Sequence, residues 1–137
     1  MDMGLEHQCN TWIAEKFTGW SEEVHKLANA LAAGRLNAAA VQRNLLATHL
    51  APILAVHFRI LYESENYLWD IISERIGAEW AETQSRAFGL NAEDFETTCR
   101  TALRLYVLTA REVDALLDGR QRAVVQYAAG LADRVGK

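Results

Sequence analysis

The stretch Leu45-Leu46-Ala47-Thr48-His49-Leu50-Ala51-Pro52-Ile53-Leu54-Ala55-Val56-His57-Phe58 decides the fold. It is the longest uncharged apolar run in the chain, and it carries the single proline. Its apolar residues belong to a helically spaced pattern that starts at Val41 and continues through Leu61, Leu68 and Ile72 to Gly77. One unbroken helix over 38–76 would be about 58 Å long. A compact domain of this length is only about 37 Å across. The run must therefore break. Pro52 has no N–H, and its ring collides with the carbonyl of Thr48, so it is the expected place. This predicts a sharp corner at residues 50–52 and a central helix at about 53–76.

Working back toward the N-terminus, Leu5, Cys9, Trp12, Ile13, Phe17 and Trp20 form one apolar stripe, predicting a helix over about 3–18 that stops at Gly19. Ser21, followed by Glu22 and Glu23, reads as the cap of a second helix that ends at Gly34, and Asn37 reads as the cap of a third. Beyond Gly77, a weakly periodic helix over about 78–88 closes at Gly89. Asn91 is the expected cap of the next, with Phe95, Cys99, Ala102, Leu103, Tyr106 and Val107 inside. Thr109-Ala-Arg-Glu112 has the form of a capping box and predicts a restart there. After Asp118-Gly119, a last helix places Val124, Ala128, Leu131 and Val135 on one side. The predicted fold is all-α, a single compact helical bundle of six to eight helices with a break at Pro52, forming one domain over 1–137.

Composition bounds what such a bundle does. Half of the residues are hydrophobic, which argues against disorder. No stretch reaches the length of a membrane span. The net charge of −4 is unevenly spread: residues 59–97 hold nine acids against three bases, and residues 98–137 hold four against seven. That balance argues against a non-specific nucleic-acid binder, which needs a broad basic surface. Cys9 and Cys99 are far apart and form no metal-knuckle pair. With no apolar run after Met1 to Gln8, a signal peptide is not expected, and a cytoplasmic protein with free thiols is.

Residues that could carry chemistry are few. Glu22 and His25 form one Glu-x-x-His pair, but a di-iron bundle needs two, so no metal site is expected. Both cysteines fall on apolar stripes, where the residue acts as a small hydrophobe. No phosphate-binding glycine loop and no serine-nucleophile elbow is present. His49 and His57 read either as core histidines bonded to backbone carbonyls, or as ligands of a haem or other apolar molecule in a pocket opened at Pro52.

Two local resemblances sharpen those alternatives. His49, then His57-Phe58-Arg59-Ile60-Leu61, Gly77-Ala78-Glu79-Trp80 and Ala87-Phe88 resemble the globin pattern that follows the haem-binding histidine, over less than a third of the chain. That resemblance implies haem, with His49 or His57 as axial ligand. Arg43-Asn44-Leu45-Leu46-Ala47-Thr48-His49 resembles the Arg-x(4–6)-His element of the HEPN ribonucleases, a family of small, dimeric, all-α domains. That resemblance implies catalytic roles for Arg43 and His49, with Asn44 in the polar slot.

The leading expectation is a non-enzymatic helical protein of regulatory or adaptor type that binds other proteins and forms a homodimer. It rests on the apolar first helix and on four tryptophans. The expected partner surface is Trp69 and Trp80 beside Glu79 and Glu82, on the premise of a half-exposed Trp80.

Overall fold

The computed structural model describes residues 3–133, which form six α-helices and two 3-10 turns, with no strand among the described residues. Helix α1 (Met3–Ala32) runs straight through the expected stop at Gly19 and the expected cap at Ser21. Gly19 in a helix interior costs about 1 kcal/mol, which the burial of Phe17, Val24 and Leu27 on either side outweighs. Ser21 is not a cap. Its hydroxyl donates back to the Phe17 carbonyl at 2.9 Å and meets the Tyr106 hydroxyl at 2.9 Å. The helix ends at Ala32, and Gly34, with a φ of 70°, closes a Schellman turn with Arg35 N–H on Ala30 O at 2.9 Å.

Helix α2 (Leu36–His57) passes through Pro52, so the corner expected at 50–52 is absent. Its 22 residues are about 33 Å long, which fits the width of the domain. Ile53, Leu54 and Ala55, directly after the proline, are buried on faces that continue those of Leu46, Ala47 and Leu50. That packing outweighs the roughly 3 kcal/mol penalty of an interior proline. Asn37 lies inside the first turn, and Arg35 occupies the cap position without a side-chain cap.

The break that chain length demanded falls at Arg59. Arg59 N–H reaches Val56 O at 3.2 Å and Ile60 N–H reaches Ala55 O at 2.8 Å, again a Schellman turn, with Arg59 at φ 57°. The expected central helix over 53–76 is therefore two pieces. A link leads through the 3-10 turn Glu65–Tyr67 to α3 (Leu68–Ile76), and Gly77 separates that from α4 (Ala78–Ala87).

Helix α5 (Phe95–Val113) is capped by Asp94, which accepts from Thr97 N–H at 2.7 Å; the cap is not Asn91. It runs through Thr109, whose hydroxyl bonds back to Leu105 O at 2.8 Å, so no restart occurs there. Every residue from Leu105 to Ala110 is buried, which makes α5 the central helix, packed against α2, α4 and α6. Helix α6 (Gly119–Ala132) opens with a capping box between Asp118 and Gln121. Gln121 Nε2 also donates to Ala14 O at 2.9 Å and Thr18 Oγ1 at 2.8 Å, fastening α6 to α1. Val135, expected on the last stripe, lies outside the described residues. No described helix is long and apolar enough to cross a membrane.

Candidate functional site

Helix α1 has 30 residues and is about 45 Å long, more than the roughly 37 Å width of the domain. Its excess is at the start. No residue from Gly4 to Trp12 is buried, and the first core contact is Ile13. Leu5, Cys9 and Trp12 nevertheless lie within one narrow stripe of that overhang, about one and two turns apart. Leu5 is 49% exposed and Trp12 37%.

The tight link at residues 33–35 lays α2 back along α1, and stacking of Trp20 on His49 at 5.0 Å sets their register. Counting from that pair brings the end of α2 beside the overhang. Between them opens a groove of about 570 Å³. Leu5, Cys9 and Trp12 form one wall, while Pro52, Ala55 and Val56 line the α2 side. The link Arg59 to Tyr62 forms the other wall, with Leu61 96% exposed. Among the described residues Arg59 is the only charged one in the lining. Its guanidinium caps α2 by donating to the carbonyls of Val56 and His57, and among the described residues no carboxylate pairs with it. A left-handed arginine holds the wall where the turns after α1 and α4 use glycine.

The residues singled out from the sequence lie elsewhere, and the fold does not bring them together. His49 is stacked on Trp20 and its Nδ1 is 3.0 Å from Leu45 O. His57 sits edge-on to Phe58. Burial holds its imidazole below the ordinary value, opposed by Glu112 and reinforced by Arg59. Eight residues apart on one helix, the two rings are separated by about 12 Å along the axis, and neither lines the groove. Arg43 turns toward α5, with its guanidinium on Asn44 Oδ1 at 2.9 and 3.1 Å, on Thr98 Oγ1 at 3.0 Å and over the Phe95 ring. His49 turns toward α1, so Arg43 and His49 point at different neighbours.

Trp80 corrects the premise of the acidic surface: it is fully buried, and its indole belongs to the core. Trp69 is half-buried and edge-on to Phe88 at 6.1 Å. Glu79 and Glu82 are exposed, with Glu79 3.6 Å from Arg111. His25 stacks on Tyr127 at 5.2 Å. Among the described residues no three His, Cys, Asp or Glu side chains gather as a metal ion requires. Burial pushes the Cys99 thiol up to about 11, which leaves it a poor nucleophile at neutral pH.

The groove was within reach of the sequence in part. The stripe Leu5, Cys9, Trp12 was legible, but its lack of a partner was not, because the second wall depends on where α2 ends. No protein family matches the chain, and no curated protein and no solved structure matches it significantly.

Proposed function

We propose that this protein works by binding protein, through the apolar groove between the α1 overhang and the end of α2. The observation that carries this reading is the overhang itself. About three turns of helix extend past the bundle with an apolar stripe that the chain's own core does not cover. Short isolated helices are marginal in water, and a contiguous exposed apolar surface marks a contact site. Arginine and tryptophan at that surface are the residue types that dominate contact energies. Pairing of two copies belongs to the same reading, as does a cytoplasmic setting in which Cys9 and Cys99 stay as thiols. The acidic face at Glu79 and Glu82 is not needed for it.

The test is capture from an extract of the native host with wild-type bait and with Leu61→Asp. Leu61 is almost fully exposed, so the variant should fold as wild type does. The expected result is a protein retained by wild type and lost with the variant. Equal retention by both baits, or by neither, counts against the groove.

A further inference from the structure

Resting on that reading, we infer that the occupant of the groove is the α1 overhang of a second copy. The two overhangs cross antiparallel about a two-fold axis at Cys9, with Glu6 of each copy against Arg59 of the other.

Size comes first. Three turns of helix are about 16 Å long and 10 Å across. The groove offers about 570 Å³. An occupant of that shape needs an apolar stripe on one face, and the overhang has one in Leu5, Cys9 and Trp12. The stripe also forms a wall of its own groove, so two copies can cover each other with the same patch, as an isologous contact requires.

Charge and register supply the second argument. Arg59 is half-buried with no carboxylate partner among the described residues. The Trp20–His49 stack and the antiparallel run of α1 and α2 place Arg59, ten positions after His49, level with Asn10 on α1. In an antiparallel crossing at Cys9, the middle of the stripe, Glu6 of the second copy comes level with Trp12. That is within one turn of Arg59. Glu6 lies about 90° from the stripe, a flanking position from which a carboxylate reaches across a helix pair.

Light scattering on the purified full chain tests this. At tens of micromolar, wild type should have twice the 15.4 kDa chain mass. Leu5→Glu, at an exposed position, should be monomeric and cooperatively folded, its helical circular dichroism lower than wild type by no more than the frayed first turns of α1. Mild oxidation should link wild type through Cys9 into a disulfide dimer, and Cys9→Ser should abolish the link. Arg59→Glu should weaken the dimer at least tenfold, and adding Glu6→Arg should restore much of it. A wild type that stays monomeric overturns the inference, as does a dimer that Leu5→Glu leaves intact. A monomer that still captures a Leu61-dependent protein refutes self-pairing while leaving the protein-binding reading standing.

Discussion

At the scale of single residues, burial shifts two groups in the core, Tyr106 and Cys99. Tyr106 stacks on Phe17 at 4.7 Å and shares a hydrogen bond with Ser21, deep inside the bundle. Burial pushes its hydroxyl from 10 up to about 12 and the Cys99 thiol from 9 up to about 11. Both groups are neutral when protonated, so between these values the folded chain binds more protons than the unfolded chain. Stability must then fall as pH rises through the window from 9 to 12. Urea midpoints measured across that range should decrease, and Tyr106→Phe should flatten the upper part of the curve. At neutral pH, Tyr106→Phe should cost only about 1 kcal/mol, the loss of one hydrogen bond, because Ser21 keeps its bond to the Phe17 carbonyl.

Arg59 is the other residue with a specific expectation. It holds a left-handed conformation that costs an L side chain about 1–2 kcal/mol, and its two bonds to the end of α2 repay a comparable amount. Arg59→Gly should therefore change the stability of the chain by less than about 1 kcal/mol. Arg59→Val keeps the strain, adds a β-branch and loses both bonds, and should cost about 2 kcal/mol or more. Chemical unfolding of the two variants separates these outcomes. A large loss in the glycine variant would mean that the guanidinium matters to the fold more than its turn does.

At the scale of elements, the sequence made the helices legible but not all of their ends. Gly34, Gly77, Gly89 and Asp118 mark real boundaries, since each provides a turn or a cap that local chemistry dictates. Gly19, Ser21, Pro52 and Thr109 mark none. At each of these, tertiary packing overrides a local preference: Ser21 and Thr109 turn their hydroxyls back onto the helix, and Pro52 is bracketed by buried residues. The candidate groove was less legible than the helices, because it depends on α2 ending at Arg59 rather than at Pro52. Replacing Pro52 by alanine tests the continuity of α2. The variant regains a backbone N–H for the helix and should gain about 1–3 kcal/mol with no loss of helical signal. If Pro52 turned a corner, alanine would destabilise the chain instead. Gln121→Ala makes a contrasting prediction. It removes one half of the α6 capping box and both bonds to α1, and should cost about 2 kcal/mol or more.

At the scale of the whole molecule, the first helix is too long for the bundle that anchors it. Helices α1, α2, α4 and α6 pack against α5, while the start of α1 contributes nothing to that core before Ile13. A helix end outside the core frays unless something further covers its apolar stripe. The most direct test is amide hydrogen exchange of residues 4–12 and 59–62 as a function of protein concentration. Protection in both segments should rise together as concentration increases and disappear in Leu5→Glu. Fast exchange of residues 4–12 at every concentration would contradict pairing of the overhangs.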